Sequence, residues 1–326
     1  MKAAWRERYG GPEVVSLRDI PKPTPTGRQV LVRVEASSIN RADLDEMLPR
    51  WQFLRLFMGL RRPRRKRLGL DVAGVVEEVG EEASRFKIGD RVFGDLFPYG
   101  AGAFAEYVCA PEKALAAIPD EVSFEVAATL PHSAVLALQG LRLRNGRTVG
   151  HGDRVLIVGA SGNVGPFAVH IAKSRGAHVT GVASGDKLDF VRSLGADEVI
   201  DYRTTAPTRP AEPYDWILDV DAHHPLRQWR RALKPGGVYA AEGGPARWFL
   251  SLLFWQPIMK LTTDKTMGMM LHWKPFNPPD VAELKRLVAS GAVKPAIDRR
   301  FSLDHVADAL THVHEGHSRG KILVVP

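Results

Sequence analysis

The amino-acid sequence predicts an α/β protein in two parts, a barrel-like β domain and a doubly wound parallel-sheet domain, on three observations. Short apolar stretches broken by Gly and Pro fill the first third of the chain. From Arg154 onward strand-like and helix-like segments alternate with a repeat of about 25 residues, the rhythm of βαβ units. A glycine-rich turn, Gly159-Ala160-Ser161-Gly162-Asn163-Val164-Gly165, stands at the first of those strand-to-helix junctions.

Val30, Val32 and Val34 alternate with Leu31, Arg33 and Glu35, the period of a half-buried strand. Further short strands are expected at 73–78, 91–94 and 104–109. Residues 123–143 change to a helical period that Pro131 should break. The run 155–158, VLIV, is apolar throughout, as a parallel strand buried on both faces requires. A helix at 164–175, a strand at 178–183, a helix from 186 to Gly195, strands at 198–200 and 216–220, a helix ending before Pro235 and a strand at 238–242 follow. Residues 248–260 are expected to be helical and 271–276 to form a last strand. Two amphipathic helices, 279–290 and 304–315, lead to a terminal strand, 321–325. The expected domains are 1–124 with 277–326, and 125–276.

With 326 residues, 44% apolar and 25% charged, the chain has the composition of an ordinary globular protein rather than a disordered or fibrous one. One cysteine, Cys109, excludes an internal disulfide and every multi-cysteine zinc site, which fits a reducing compartment. The first residues lack an apolar core of signal-peptide length, and 249–255 is far short of a bilayer span, so a cytoplasmic location is expected. The net charge of +8 is local. Residues 50–67 hold eight basic residues (Arg50, Arg55, Arg61, Arg62, Arg64, Arg65, Lys66, Arg67) and no acid, and the remainder balances at 37 against 37. Such a run is either a solvated connection or a contact for an anionic surface. No aromatic-studded RNA-recognition strand accompanies it, and nucleic acid is not expected.

The glycine turn points to a dinucleotide. Glycines allow a tight turn, a close backbone approach to a pyrophosphate and close helix-to-sheet packing, while helix N–H groups meet the negative charge; the alternative is a plain strand-to-helix turn. The residues after the second strand choose the nucleotide. Ser184, Lys187 and Arg203 offer a hydroxyl and cations for a 2′-phosphate, whereas Asp186 could take the ribose hydroxyls of NADH. The balance favours NADPH.

GLDVAGVVEEVG (69–80), FKIGDRVFG (86–94), GAFAEYV (102–108), LIVGASGNVG (156–165), LGADEVIDY (194–202) and EGHSRGKILVV (315–325) together resemble the zinc-independent, zeta-crystallin-like quinone oxidoreductase branch of the medium-chain dehydrogenase/reductase superfamily. The resemblance spans nearly the whole chain. It implies a GroES-like β-barrel domain and a Rossmann domain, an active site in the cleft between them, NADP(H) as cofactor and a homodimer joined through Rossmann edge strands. It further implies that Ser161, Asn163 and Val164 contact the pyrophosphate alongside Gly159, Gly162 and Gly165, with Asn163 replacing a usual glycine. Ser184, Lys187 and Tyr202 would hold the adenosine phosphate, Asp219 would lie near the nicotinamide ribose, and Gly316, His317 and Ser318 would touch NADPH from the tail. The places at which metal-dependent relatives hold catalytic zinc carry Asn40, Leu70 and His132, a set unable to bind it.

Without zinc, full charge on a carbonyl oxygen is poorly stabilised, and an acceptor that delocalises the charge is favoured. A quinone or α,β-unsaturated carbonyl is therefore the expected substrate. Asn40 is read either as a donor to the substrate oxygen or as a structural amide, His132 as a proton donor or a helix-start histidine, and Tyr99 as a cleft residue or surface packing. Asp43 and Asp71 read as loop-fixing carboxylates, and Cys109 as a buried, inert thiol. Two other functions remain open: a zinc-free alcohol or carbonyl dehydrogenase, and an NADPH-binding sensor or structural protein with vestigial catalysis.

Overall fold

A computed structural model describes residues 1–48, 56, 59–245, 248, 255, 256, 259, 261–269 and 274–326. They form two compact units: Met1–Val135 with Pro275–Ala289 and Pro295–Pro326, and Leu136–Lys274 with Ser290–Lys294. Residues 125–135, expected with the parallel sheet, thus pack with the first unit.

Unit 1 begins with an antiparallel pair, β1 (Lys2–Arg6) and β2 (Val15–Asp19). Its spine is the eleven-residue β3 (Gln29–Ile39), which places Arg33 on the open side and buries Val30, Val32 and Val34. Leu31 is buried too, so strict alternation fails there. β4 (Asp71–Val79) pairs along one edge of β3, and β6 (Tyr107–Pro111) takes the other edge near its start. β5 (Arg91–Asp95) continues from β4 and β7 (Leu115–Ala117) from β5, all antiparallel. α1 (Arg41–Met47) follows β3 directly. Ser123 Oγ accepts the Val126 N–H at 3.2 Å to start α2 (Phe124–Thr129), and the chain breaks at Pro131 before α3 (Ser133–Gly140).

Unit 2 is a six-stranded sheet, parallel throughout. β8 (Arg154–Val158) lies inside it between β9 (His178–Ala183) and β11 (Tyr214–Asp219), with β10 (Glu198–Asp201) outside β9 and β12 (Leu233–Ala241) then β13 (Thr266–Met269) outside β11. The crossover helices are α4 (Gly165–Ser174), α5 (Leu188–Ser193) and α6 (Leu226–Ala232). Trp229 stacks on Tyr239 with ring centroids 5.7 Å apart, in a core shared with Leu156, Ile217 and Trp248. The outermost described strand of this sheet, Thr266–Met269, lies in register with Val238–Ala241. Residues 271–273 of the expected strand lie outside the described residues, as do most of 248–260.

The chain then returns to unit 1 through α7 (Pro278–Ala289), β14 (Ile297–Ser302), α8 (Val306–His314) and β15 (Lys321–Val325). β15 is antiparallel to the end of β3, with Ile322 opposite Ile39. β1, β2, β7 and β14 were not evident in the sequence, since KAAWR, VSLRD, LAA and IDRRFS are short or strongly polar. Among the described residues no helix is long and apolar enough to cross a membrane.

Candidate active site

In unit 2 the glycine turn shows three separate uses of glycine. Gly159 has φ +78°, the left-handed region that glycine enters without strain, and its N–H and that of Ala160 both donate to the Val182 carbonyl. At Gly165 an added Cβ would lie 2.3 Å from the Gly159 carbonyl oxygen, so this glycine sets how closely α4 meets the turn. Gly162 differs, because its Cβ would meet nothing nearer than that same oxygen at 3.5 Å. Protein packing does not require glycine there, while a pyrophosphate lying on the backbone would. Gly165→Ala should therefore cost about 1–3 kcal/mol of stability, and Gly162→Val should leave thermal unfolding nearly unchanged and weaken nucleotide binding at least about tenfold; melting curves and nucleotide titrations separate the two. Ser161 and Val164 are buried in the turn and Asn163 is half-buried.

Ser184 follows β9 and is buried; a hydrogen bond from it, with Lys187 and Arg203 nearby, holds Asp186 below the usual carboxylate range. The Arg203 guanidinium is 3.6 Å from the Asp186 carboxylate and lies over the exposed Tyr202 ring. The residues expected to read the adenosine end thus cluster on one rim, with Asp186 among them. Asp219 ends β11 fully buried. The Tyr239 hydroxyl donates to it at 2.8 Å, and burial pushes its carboxyl up to about 7.

In unit 1 the sheet register builds a second arrangement. Asn40 directly follows β3, Asp71 begins β4, Asp95 ends β5 opposite Asp71, and Lys321 begins β15. His132 and Ser133 stand at the start of α3. Asp71 is the hub, its Oδ2 accepting from Ser38 Oγ at 2.6 Å, Asn40 Nδ2 at 2.8 Å and Lys321 Nζ at 3.4 Å, and its Oδ1 from the His132 backbone N–H at 3.1 Å. Asn40 Oδ1 accepts from Lys321 Nζ at 2.7 Å and Ser133 Oγ at 2.8 Å. An ammonium only donates and a carboxylate only accepts, so the two neighbours dictate which way the Asn40 amide faces. Both ends of that amide are used by the protein.

Every member of this network is buried. Burial pushes Asp71 up and Lys321 down, each towards its neutral form, against their mutual attraction. Asp43 accepts the Asn40 N–H on Oδ2 at 2.8 Å, while its Oδ1 has no partner among the described residues, and burial pushes this carboxyl up to about 8. A carboxyl that keeps its proton in the native state but loses it near pH 4 when unfolded makes stability fall as pH rises from about 4 to 8, by a few kcal/mol in all. Asp43→Asn should flatten that decline, as melting temperatures at pH 5 and pH 8 will measure.

His132 Nδ1 lies 2.9 Å from Asp95 Oδ2, and the ring tilts against Phe97 with centroids 5.7 Å apart. Burial opposes the imidazolium, but Asp95 and Asp71 outweigh burial and the repulsion from Lys321, so His132 titrates above its usual value. Tyr99 is 41% exposed, its ring 5.2 Å from the Lys113 ammonium. Gly316 and His317 are exposed and Ser318 is buried; His317 Nδ1 is 3.3 Å from Glu315. Cys109 is half-buried rather than buried, since β6 turns Val108 and Ala110 inward; burial still pushes its thiol up.

In the basic run, Arg65 bonds the Phe97 carbonyl and pairs with Glu46, and Lys66 pairs with Glu7. Arg61, Arg62 and Arg64 are exposed, and Arg50 and Arg55 lie outside the described residues. Lys321, Ser133 and Asp95 were missed in the sequence; the signal was a charged residue opening the apolar run KILVV.

As for metal, Leu70 offers no donor, Asn40 is committed to three partners and His132 is held by Asp95. Among the described residues no three His, Cys, Asp or Glu side chains are grouped to hold a metal ion.

Two family models match the chain, an alcohol dehydrogenase GroES-like domain over residues 26–120 and a zinc-binding dehydrogenase over residues 194–324. A chloroplast envelope quinone oxidoreductase homolog of Arabidopsis thaliana is 33% identical, the match covering 100% of this chain and 98% of that protein. The mitochondrial NAD(P)H oxidoreductase RTN4IP1 of Bos taurus is 31% identical, with 98% and 88% covered. The structure of the quinone oxidoreductase from Coxiella burnetii superposes with a TM-score of 0.87 at 29% identity, covering 100% and 99% of the two chains.

Proposed function

Since the chain belongs to the quinone oxidoreductase branch of the medium-chain dehydrogenase/reductase superfamily, and is thus an oxidoreductase using a nicotinamide cofactor, we propose that it is an NADPH-dependent, zinc-independent reductase of quinones or α,β-unsaturated carbonyls. One observation supports the reading: of Asn40, Leu70 and His132, the residues that the resemblance sets at the zinc positions, Leu70 has no ligating atom and Asn40 and His132 are hydrogen-bonded within the protein to Asp71, Lys321, Ser133 and Asp95. No Lewis acid is then available to hold a localised alkoxide, and an acceptor that spreads the incoming charge over a conjugated system needs less help.

When bound, the reduced nicotinamide supplies the hydride. The chain's own part begins at the turn 159–165, where Gly162 leaves the backbone open to the pyrophosphate and Ser161 and Val164 flank it. At the other end of the nucleotide, Ser184, Lys187, Tyr202 and Arg203 take the 2′-phosphate. His132, oriented by Asp95, holds a proton to higher pH than an ordinary imidazole and delivers it to the enolate or hydroquinone oxygen. The Asn40 network keeps the strand ends that carry these groups rigid. A cytoplasmic location belongs to the same proposal, on the single cysteine. So does a homodimer formed through β13, which among the described residues pairs on one side only, with β12.

The test is turnover of NADPH with 1,4-benzoquinone, 9,10-phenanthrenequinone and a simple enone against simple aldehydes and alcohols, with and without a chelator. Conjugated acceptors should lead and chelation should change nothing. Faster turnover of simple aldehydes, or loss of activity on chelation, overturns the reading, and NADPH binding without turnover of any acceptor makes the protein a sensor. For His132→Asn, kcat should fall about 10²-fold or more. The decline of wild-type activity as pH rises through the raised His132 titration should vanish with it, and an unchanged pH profile would remove His132 from the mechanism.

A further inference from the structure

Between β7 and α7, within unit 1, lies a cavity of about 400 Å³ that shares no residue with the glycine turn or the Asn40 network. Its floor is apolar: Leu115, Phe276 and Val281 are 2%, 8% and 6% exposed, and Phe276 is held edge-on by Phe93 at 5.2 Å between centroids. Its rim is cationic, with Arg85, Lys113 and Lys285 and no acidic residue in the lining.

Among the described residues none of the three cations is ion-paired. Glu112, the acid next to Lys113 in sequence, is buried and spends its carboxylate on the backbone N–H groups of Ser84 and Arg85. The Arg85 guanidinium donates to the Glu112 carbonyl oxygen at 2.9 Å, which aims it without neutralising it. The Lys113 ammonium lies over the Tyr99 ring and the Arg85 guanidinium over the Phe86 ring, contacts that leave both positive charges to attract an anion, and low-dielectric walls strengthen that attraction. The volume falls in the range of small-molecule sites.

We propose that this cavity binds an amphipathic carboxylate, its head between Arg85, Lys113 and Lys285 and its hydrocarbon body on Leu115, Phe276 and Val281. The apolar floor distinguishes such a ligand from inorganic phosphate or sulfate, which would gain nothing from it. The cationic rim distinguishes it from a neutral lipid or alcohol of the same length.

Isothermal titration of the full chain with octanoate tests this, with octanol and inorganic phosphate as the comparison ligands. Octanoate should bind saturably, and both comparison ligands at least about tenfold more weakly. The double variant Lys113→Gln/Lys285→Gln should lose at least about tenfold in octanoate affinity. Lys113 is exposed and Lys285 half-buried, and neither is ion-paired, so the melting temperature and NADPH affinity of the double variant should match those of the parent chain. Absence of saturable octanoate heat, equal binding of octanol or phosphate, or an unchanged affinity in the double variant would each overturn the proposal.

Discussion

Lys321→Met is expected to destabilise the chain by about 3–5 kcal/mol, because it removes the cation from a buried carboxylate that cannot move to water. For a folding unit of this size that lowers the melting temperature by roughly 10 °C. The Lys321 ammonium donates to Asn40 and Ser133 and faces Asp71, so its loss strips three buried oxygens of a donor at once. The loss depends on pH in a definite sense. Asp71 already titrates above its usual value from burial, and without Lys321 it rises further; the native state then holds a proton that the unfolded state has released, and stability falls as pH rises. Lys321→Met should accordingly be least harmful near pH 4 and increasingly harmful as pH rises above it. Combining it with Asp71→Asn should recover part of the loss, since the uncompensated charge is gone and the amide oxygen can still accept from Ser38 and Asn40, while its NH2 group replaces the acceptor of the His132 N–H. Thermal unfolding of the two single variants and the double variant at pH 5 and 8 measures this. A loss below about 1 kcal/mol, or no recovery in the double variant, would mean that Ser38 and the His132 backbone N–H hold Asp71 unaided.

That network also marks where sequence reading ends. The Gly159–Gly165 turn was legible because all its requirements are local: one strand, one turn and one helix in order, each glycine answering to backbone geometry a few residues away. The same holds for the helix break at Pro131 and the apolar run in β8. Asn40 and His132 were legible as chemically suggestive residues, but their roles depend on partners 281 and 37 residues away, Lys321 and Asp95. Nothing in KILVV says that it will lie against the end of β3; the register Ile322 opposite Ile39 is a property of the closed sheet. Of the two roles the sequence leaves to Asn40, substrate donor and structural amide, the fold engages both ends of the amide with Asp71, Ser133 and Lys321. Asp43 and Asp71, loop-fixing carboxylates in the sequence reading, accept hydrogen bonds at the ends of β3 and β4 and titrate above the usual carboxylate range, which only their depth of burial reveals. Strands β1, β2, β7 and β14 show no clear period for a related reason: their sequences are too polar or too short, and pairing alone makes them strands.

Removing the cations after β9 should change nucleotide choice by the largest factor of any substitution in unit 2. On the NADPH reading, Lys187 and Arg203 each make a charge-assisted contact with the 2′-phosphate, worth about 1.5–3 kcal/mol, so Lys187→Ala and Arg203→Ala should each weaken NADPH binding roughly 10- to 100-fold. NADH, which lacks that phosphate, should change by no more than about threefold. Asp186 supplies the opposing test. Its carboxylate is ionised, drawn down by the hydrogen bond from Ser184 and by the two cations, and it would stand beside the incoming phosphate. Asp186→Ala should therefore strengthen NADPH binding, by removing one repulsive charge and freeing the Arg203 guanidinium from its pairing. If Asp186 instead holds the ribose hydroxyls, the same variant should weaken NADH at least about tenfold and leave NADPH nearly unchanged. Fluorescence titration of the three variants with both nucleotides at two salt concentrations decides between them. The phosphate contacts should weaken with added salt and the ribose contacts should not, because only the former are attractions between full charges at an exposed rim.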